Sequence, residues 1–234
     1  MKKLLLFGSS GSIGQSISDE FCSQGWTVVP VVRDHANDSE HAGFLMWSTA
    51  EGRILNSDNL KKTGPFDGVV WAQGKNTTDS ILDFDSSVLD ELWNANVLTI
   101  TQSLHQLLED KLLSQSASLC VISSIWQDLA RQNKMSYCIT KSALKGLVNS
   151  IAIDLGAFGF RINAVLPGAL DTPMTRQNLS TDQITYLETL SPLHRLSSLS
   201  DVSKTVFWLV SPNSESVTGQ FIKVDSGFSY ARIL

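Results

Sequence analysis

The sequence has few cysteines, and their spacing would not hold a metal ion or a redox centre. Cys22, Cys120 and Cys138 are an odd number of cysteines, and none of them form a Cys-x-x-Cys pair. We therefore expect reduced, mostly buried thiols and a cytoplasmic protein. The histidines also lack the spacing of metal ligands, so we expect no metal site; they are His35, His41, His105 and His194.

The chain also lacks a dense cluster of lysine and arginine. Its formal net charge is −5 and its pI is near 5.3. Nucleic-acid binders usually show a basic face, so we expect no nucleic-acid partner. No apolar run reaches the length of a membrane span, and the apolar start of the chain ends at Gly8, too early for a signal peptide. We therefore expect no membrane association.

What is present is a regular alternation of short apolar strands and amphipathic helices over 234 residues. Strands are predicted at 4–7, 27–32, 44–47, 68–72, 119–123, 161–166 and 221–224, and helices at 13–24, 87–109, 137–158 and 201–210. Continuous apolar strands in this alternation are typical of a parallel sheet that is covered on both faces. No linker or repeat divides the chain. We therefore predict an α/β fold with a single domain over residues 1–234, built on a doubly wound parallel sheet with helices on both faces.

Two features of the sequence are unusual for this fold. Pro30 stands inside the second strand, where it lacks the N–H that a ladder hydrogen bond needs. The connection that follows, residues 33–43, leaves about ten residues, which is near the minimum for a crossover helix. We therefore expect that helix to be short or degenerate.

The pair Tyr137 and Lys141 is the most informative feature of the chain. These residues are four positions apart, so in a helix both lie on one face. Because an ammonium group favours a phenolate, we expect Lys141 to lower the pKa of Tyr137. Ser124 follows a predicted strand and could hold a carbonyl oxygen that the phenol protonates. Alone, the Tyr-x-x-x-Lys spacing more often marks a solvated helix face.

Three glycines follow the first strand and open the first helix: Gly8, Gly11 and Gly14. Such glycines permit a tight turn and the close approach of a pyrophosphate, and a helix N-terminus offers free N–H groups to it. The strand–loop–helix context favours a dinucleotide site. The alternative is a plain turn between a strand and a helix.

Together these motifs resemble the short-chain dehydrogenase/reductase family over nearly the whole chain. Four of them occur in that family's order: the glycine loop, Ser124, Tyr137-Cys-Ile-Thr-Lys141 and Asn163-Ala-Val-Leu-Pro167-Gly168. Two later segments are similar to those of bacterial 3-oxoacyl-carrier-protein reductases: Pro192-Leu-His-Arg195-Leu and Val217-Thr-Gly219-Gln-Phe-Ile-Lys-Val-Asp225-Ser-Gly227. The resemblance implies a Rossmann fold and a nicotinamide-dependent oxidoreductase.

The resemblance implies a catalytic role for four positions. Tyr137 would donate a proton to the substrate carbonyl. Lys141 would lower the pKa of the phenol and hold the nicotinamide ribose, while Ser124 would hydrogen-bond the carbonyl oxygen. Asn96 matches the family asparagine that holds a water in a proton relay, and Asn94 is the less favoured match. The nicotinamide would supply the hydride, and the hydroxyl groups would stabilise the charge that grows on the oxygen.

Arg33 decides which nicotinamide cofactor we expect. It follows the second strand, where an acidic residue would bond the adenosine 2′-hydroxyl of NAD, whereas an arginine can pair with a 2′-phosphate. We therefore expect NADP(H) rather than NAD(H). The alternatives are a solvated Arg33 that selects nothing, or Asp34 as the aligned residue. The resemblance assigns the remaining cofactor contacts to Gly8, Ser10, Gly11, Ile13, Gly14, Ala72, Gly74, Tyr137, Lys141, Pro167, Gly168 and Thr172.

The adenosine side of this site departs from the family pattern. The second glycine of the loop follows the first by three residues rather than four. The family's Asn-Asn-Ala-Gly motif reads Trp71-Ala72-Gln73-Gly74 here, and its aspartate after the third strand is missing near Trp47 and Ser48. Ala72 and Gly74 can still let the adenosine approach, whereas Trp71 and Gln73 cannot reproduce the asparagine contacts unchanged.

The resemblance also bears on the substrate and on assembly. Trp126 stands where a small residue is common; it would line the substrate pocket with Ser124 and Tyr137, or it would pack into the core. Residues 171–198 would form a lid. A homotetramer or homodimer is implied, with the helices 87–109 and 137–158 at one interface and the tail 228–234 at another.

We therefore expect an NADP-dependent oxidoreductase that reduces a carbonyl, or oxidises the matching secondary alcohol, with Tyr137 as proton donor. Its partner would be a small-molecule carbonyl or alcohol. One alternative is an NAD-dependent alcohol dehydrogenase of the same fold. Another is a nucleotide-sensing scaffold that has lost turnover, which the changed adenosine side motivates.

Overall fold

The strands of the protein form one sheet. A computed structural model describes residues 1–33, 45–55 and 57–230. Within them the strands are β1 (Lys3–Phe7), β2 (Thr27–Arg33), β3 (Leu45–Ser48), β4 (Arg53–Ile54), β5 (Phe66–Trp71), β6 (Leu113–Ile122), β7 (Arg161–Pro167) and β8 (Phe221–Val224). Their order is β4-β3-β2-β1-β5-β6-β7-β8, and neighbours are parallel except β3 and β4. The predicted doubly wound parallel sheet is confirmed, with a short antiparallel strand added at one edge.

Helices cover both faces of this sheet, as predicted. In the described part of the chain they are α1 (Ser12–Ser23), α2 (Ser57–Thr63), α3 (Ser86–Trp93), α4 (Thr99–Glu109), α5 (Met135–Gly156), α6 (Pro173–Asn178), α7 (Thr181–Thr189) and α8 (Leu199–Val210). Apolar side chains of α1 and α8 pack on one face, and those of α4 and α5 pack on the other.

The first strand shows how the sequence builds this two-faced core. β1 is a continuous apolar run, and successive side chains of a strand point to opposite faces. Leu4 and Leu6 accordingly join the cluster under α1 and α8, while Leu5 and Phe7 join the cluster under α4 and α5. Each fully buried side chain of this kind contributes about 1.5–3 kcal/mol of hydrophobic stabilisation, so both layers of helices are held by the same strand.

Most predicted elements agree with the structure to within a few residues, and the differences are local. The predicted helix 87–109 is divided into α3 and α4 by a π-helical turn at Asn94–Leu98. The short strand β4 and the helices α2, α6 and α7 were not predicted. The expected short helix between the second and third strands falls on residues outside the described ranges.

Pro30 lies inside β2 without breaking the sheet. It pairs with Leu6 of β1 on one side, whereas β3 pairs only with Val31–Arg33 on the other. The first half of β2 is therefore an edge, where a proline does not remove a ladder hydrogen bond.

The order of the strands reverses between β1 and β5, and this sets the position of the site. In open α/β sheets, ligands bind at the carboxyl ends of the strands where the order reverses. The loops that follow these two strands are adjacent, since the Ala72 N–H donates to the Phe7 carbonyl over 3.0 Å. The fold therefore brings the glycine loop next to residues 72–74.

No helix within the described ranges is both long enough and apolar enough to cross a membrane.

Candidate active site

Helix α5 carries Tyr137 and Lys141 on one face, as their spacing predicts. Lys141 is 4% exposed, and its Nζ donates to the carbonyl of Ile122, the last residue of β6, over 3.0 Å. The same Nζ lies 5.7 Å from the centroid of the Tyr137 ring. The ammonium is thus anchored at the carboxyl edge of the sheet, directly beside the phenol.

Burial controls the ionisation of both groups. Because a buried site disfavours charge, the pKa of Lys141 falls to about 8. Burial also raises the pKa of Tyr137, while a hydrogen bond with Ser124 acts in the opposite direction. The expectation that Lys141 lowers the pKa of Tyr137 is therefore wrong for this structure, where desolvation is the largest influence on the phenol. At neutral pH the phenol keeps its proton and can act as a donor.

Ser124 lies beside two groups, the backbone N–H of Trp126 and the phenol of Tyr137. It directly follows Ser123 beyond the end of β6, is 7% exposed, and its Oγ accepts the Trp126 N–H over 3.3 Å. The Ser124 side chain is also close enough to Tyr137 to oppose the rise in the pKa of the phenol. A hydroxyl group has one hydrogen to donate, so Ser124 could donate it to an oxygen that lies beside the phenol.

Asn96 lies in the π-helical turn between α3 and α4, and its side chain is buried, with 1% of the residue exposed. Its Oδ1 accepts the Lys75 N–H over 2.8 Å, and its Nδ2 donates to the Lys75 carbonyl and to Thr140 Oγ1 over 3.0 and 2.9 Å. Its side chain therefore ties the loop after β5 to helix α5. Asn94 is exposed and its Nδ2 donates to the carbonyl of Asp90, so Asn96 is the asparagine that lies in the site.

Gly74 passes between two of these side chains. A Cβ atom added at this glycine would lie 3.1 Å from Asn96 Oδ1 and 3.7 Å from Lys141 Nζ. The loop after β5 can approach Asn96 and Lys141 this closely because the position has no side chain.

Sequence reasoning missed Asp79, which holds the start of α5. Its carboxylate is buried and accepts the Ser136 N–H over 3.2 and 3.3 Å, one residue before Tyr137. Lys134, at the N-cap position of the helix, makes no capping hydrogen bond with its own side chain. A carboxylate at a helix N-terminus satisfies free N–H groups and complements the helix dipole. The partners are 57 positions apart in the sequence, so no local pattern indicated this contact.

The glycine loop is packed too tightly for side chains at two positions. Gly8 has a φ of +74°, and a Cβ added there would lie 2.5 Å from the backbone nitrogen of Gln73. A Cβ added at Gly14 would lie 2.1 Å from the carbonyl oxygen of Gly8. Gly11 is the N-cap of α1 and provides no side-chain cap, so the N–H groups of the first turn are left for a ligand. This geometry fits a pyrophosphate cradle.

The remaining residues assigned to the cofactor also lie at the carboxyl edge of the sheet. Ser10 and Ile13 lie within the glycine loop, Ala72 follows β5, and Arg33 is exposed at the end of β2. Pro167 ends β7, the Gly168 N–H donates to the carbonyl of Val224 over 3.0 Å, and Thr172 Oγ1 caps α6 by accepting the Thr175 N–H. Asp34 lies outside the described residues.

Trp71 is a core residue and not a pocket wall. Its side chain is fully buried and stacks on Phe7 with ring centroids 5.9 Å apart. Its Nε1 donates to Ser103 Oγ over 2.9 Å. Trp47 contacts the same Phe7 ring edge-on at 6.2 Å. The aromatic residues of the adenosine side therefore form a layer beneath the pocket and do not replace the asparagine contacts.

Buried polar atoms without a hydrogen-bond partner gather at this edge. In the described residues they belong to Trp47, Gln73, Gln127, Ser136 and Ser229. The first three and Ser229 lie at or beyond the carboxyl ends of strands, and Ser136 begins helix α5. Such groups are rare because they are costly. Their collection at one edge fits a site that pairs them with a polar ligand such as a dinucleotide.

Trp126 packs against the core, which is one of the two possibilities that its position in the sequence allowed. It is half-buried, and its ring contacts Phe228 edge-on at a centroid distance of 6.4 Å. The Arg131 guanidinium lies 5.9 Å from the centroid of the same ring. The tryptophan is therefore held from two sides, next to Ser124.

The two ends of the expected lid are joined to each other by backbone hydrogen bonds. The Asp171 N–H donates to the Ser197 carbonyl over 2.9 Å, and the Ser197 N–H donates to the Ala169 carbonyl over 3.3 Å. Helices α6 and α7 lie between these ends. Residues 171–196 thus form an excursion from the carboxyl edge with a fixed base.

A cavity of about 530 Å³ opens at the opposite edge of the sheet and is not part of this site. Arg161 lines it, but its guanidinium is already engaged by the carbonyls of Leu209, Ser211 and Val217. Both terminal nitrogens of Arg161 are therefore used in hydrogen bonds that hold the C-terminal part of the fold.

Comparisons with known proteins agree with this arrangement. The sequence profile of the family described as enoyl-(acyl carrier protein) reductase matches residues 47–229. The short-chain dehydrogenase/reductase SDRA of Arabidopsis thaliana is 30% identical over 97% of this chain and 94% of its own length. L-rhamnose 1-dehydrogenase (NADP(+)) of Thermoplasma acidophilum is 25% identical over 97% of this chain and 95% of its own length.

The fold is also that of solved structures. The crystal structure of a short chain dehydrogenase family protein from Francisella tularensis superimposes with a TM-score of 0.83 and 23% identity, covering 99% of this chain and 100% of its own. With the family profile spanning most of the chain, the protein belongs to the short-chain dehydrogenase/reductase family of oxidoreductases.

Proposed function

We propose that the protein is an NADP-dependent oxidoreductase that reduces the carbonyl of a small molecule, or oxidises the matching secondary alcohol, with Tyr137 as the proton donor. The observation that carries this proposal is the convergence of three groups. The Ser124 side chain is close enough to Tyr137 to act on the pKa of its phenol, and the buried Lys141 ammonium lies 5.7 Å from the centroid of the ring. These groups face the edge at which the glycine loop would hold a dinucleotide.

In this proposal the nicotinamide supplies the hydride when it is bound, and the chain supplies position and protons. Tyr137 gives its proton to the carbonyl oxygen as negative charge grows there, and Ser124 donates a hydrogen bond to the same oxygen. The raised pKa of Tyr137 keeps the proton on the phenol until that charge develops. Asn96 holds the loop after β5 against α5, so the donors keep their positions.

The residues present fit the cofactor. Gly8, Gly11 and Gly14, with Ser10 and Ile13, would hold the pyrophosphate at the N-terminus of α1. Lys141, besides its bond to the Ile122 carbonyl, has two further hydrogens for a ribose hydroxyl. The other contacts would come from Arg33, Ala72, Gly74, Tyr137, Pro167, Gly168 and Thr172, and the substrate would contact Ser124, Trp126 and Tyr137.

Two observations support NADP(H) over NAD(H). Arg33 is exposed at the end of β2, where its guanidinium would meet the 2′-phosphate of NADP. The Thermoplasma acidophilum relative is named as an NADP(+) enzyme.

We also propose a homotetramer or homodimer in a reducing, cytoplasmic compartment, acting as one domain over residues 1–234 with a lid at residues 171–198. The exposed apolar side chains Trp93, Ile139 and Ile153, on α3 and α5, support an interface on these helices. The three free cysteines support the compartment. A monomeric mass in light scattering would contradict the assembly. Most of the tail expected at a second interface lies outside the described residues.

The test of the proposed function is a titration of the purified protein with NADPH and with NADH, followed by nicotinamide fluorescence. Tight binding of NADPH, weak binding of NADH and turnover with a panel of carbonyl compounds are expected. Equal affinities would favour the NAD-dependent alternative. Binding without turnover of any carbonyl would favour a nucleotide-sensing scaffold, and no binding would remove the oxidoreductase proposal.

A further inference from the structure

Gln73 carries the most unusual polar group of the described chain. Both Oε1 and Nε2 of its amide are buried and have no hydrogen-bond partner. The other residues with such atoms in the described ranges leave one atom unpaired, whereas Gln73 leaves both an acceptor and a donor. An unpaired buried amide opposes folding, so its presence calls for a partner that the folded chain itself does not supply.

The position of Gln73 indicates where that partner binds. Its backbone packs against Gly8, which opens the glycine loop, closely enough to exclude a side chain there. It also lies one residue after Ala72, whose N–H bonds the end of β1. Gln73 is therefore at the reversal point of the strand order, between the pyrophosphate cradle and β5.

We propose that the Gln73 amide binds the adenosine half of the dinucleotide through a paired donor and acceptor. This inference rests on the proposed function, and it assigns a contact to the position where the family motif has an alanine. A glutamine at that position adds an amide that an alanine cannot offer.

The chemistry of the amide limits which part of the dinucleotide it can bind. A phosphate offers only acceptors, so it would satisfy Nε2 and leave Oε1 unpaired. An adenine edge offers an amino hydrogen next to a ring nitrogen, which a glutamine can bond with both amide atoms. A ribose hydroxyl beside another sugar oxygen also offers a donor and an acceptor. The pair of unpaired atoms therefore points to the nucleoside and away from the pyrophosphate.

A second unpaired group lies on the same half of the sheet. The Trp47 Nε1 is buried without a partner on β3, three strands from β5 in the sheet order. Trp47 aligns with Arg33 in the ladder between β2 and β3. The half of the sheet from β3 to β5 thus combines unpaired polar atoms with the arginine expected to contact a 2′-phosphate.

Replacing Gln73 by methionine tests the proposal, because methionine keeps the length of the side chain and removes both polar atoms. The melting temperature of the ligand-free protein should stay the same or rise, since an unpaired buried amide is lost. The dissociation constant of NADPH, measured by calorimetry, should rise roughly 5- to 30-fold with the loss of two neutral hydrogen bonds. Gln24→Met, at an exposed glutamine after α1, is the matched control and should change neither quantity.

Adenosine 2′,5′-bisphosphate contains the adenosine half alone and locates the contact. Its dissociation constant should rise by the same factor as that of NADPH in Gln73→Met. A loss confined to NADPH would place the contact on the nicotinamide half and overturn the proposal. With the hypoxanthine analogue of NADPH, a smaller loss assigns the adenine edge and an equal loss assigns the ribose; both support it.

Other outcomes separate the possible errors. If Gln73→Met binds NADPH as the unaltered protein does, the inference is wrong and the proposed function stands. A fall in both melting temperature and affinity would show that Gln73 is structural, which also overturns the inference. If the unaltered protein binds no nicotinamide dinucleotide, the proposed function itself fails.

Discussion

The two halves of the candidate site satisfy their polar groups in different ways. On the catalytic half, Asn96 uses its amide in three hydrogen bonds and Lys141 is anchored to the Ile122 carbonyl. On the adenosine half, Gln73 and Trp47 leave buried polar atoms unpaired, and Trp47 belongs to the aromatic layer around Phe7. The catalytic half of the candidate site is thus preorganised by the protein alone, whereas the adenosine half leaves buried polar atoms unpaired.

This difference separates rate from affinity. Preorganised donors stabilise charge in a reaction without having to move, so changes on the catalytic half should alter turnover. Unpaired groups that a ligand satisfies contribute to binding and to its selectivity, so changes on the adenosine half should alter dissociation constants. The following variants test whether the two halves separate in this way.

Tyr137→Phe should have the largest effect. It removes the phenolic hydroxyl group and keeps the ring, so kcat/KM should fall roughly 10²- to 10⁴-fold, the usual contribution of a general acid. The dissociation constant of NADPH should change by less than about fivefold, the value of one neutral hydrogen bond. Steady-state kinetics and a fluorescence titration measure both, and retained turnover would show that Tyr137 is not the proton donor.

Lys141→Met should change how stability depends on pH. The pKa of Lys141 is about 8 in the folded protein against 10.5 for the free group. Between these values the unfolded chain binds more protons, so the free energy of unfolding rises with pH, by about 3 kcal/mol in all. The penalty is fully present below pH 8 and is relieved as the pH rises toward 10.5.

The methionine variant has no such penalty to relieve. Urea unfolding of both proteins at pH 7 and pH 10 should therefore show a steeper gain with pH for the unaltered protein. Parallel pH profiles would mean that the ammonium is not destabilised by burial.

Arg33→Asp should break the selectivity of the adenosine half. The change removes a guanidinium and places a negative charge near the 2′-phosphate, so the dissociation constant of NADPH should rise roughly 10- to 100-fold. NADH binding should hold or improve, because an acidic residue can bond its 2′-hydroxyl group. Arg53→Asp, on the edge strand β4, is a control for surface charge. Unchanged NADPH affinity in Arg33→Asp would remove the argument for NADP.

Asp79→Ala should have the smallest effect. It removes the carboxylate that bonds the Ser136 N–H at the start of α5, so the free energy of unfolding should fall by about 1 kcal/mol. Because Tyr137 follows directly, kcat should fall as well, with little change in the dissociation constant of NADPH. Asp79→Asn keeps an acceptor oxygen and should recover part of both losses. Equal kcat in all three proteins would show that the contact only stabilises the fold.

Periodicity and motif spacing predicted most of the framework. The apolar run Leu4–Phe7, the glycine loop and the four-residue spacing of Tyr137 and Lys141 are local patterns, and the structure has a strand, a loop opening α1 and a shared helix face at these places. The choice of Asn96 over Asn94 also agrees with its burial between the loop after β5 and helix α5.

Other features could not be predicted, because they depend on partners that are distant in the sequence. The Asp79 carboxylate meets Ser136 across 57 residues. The direction of the pKa shift of Tyr137 was predicted wrongly, since the spacing to Lys141 is visible in the sequence but the burial of the ring is not. The two-residue strand β4 is too short to show a period.

The sequence by itself therefore indicated most of the strands and helices, the glycine loop and the helix face that Tyr137 and Lys141 share, since each follows from a pattern within a few residues. The tertiary structure alone decided which buried polar groups are paired and which are left unpaired. That decision depends on the solvation and the long-range partners of each buried atom, and these exist only when the strands β1 and β5 and the helices around them have come together.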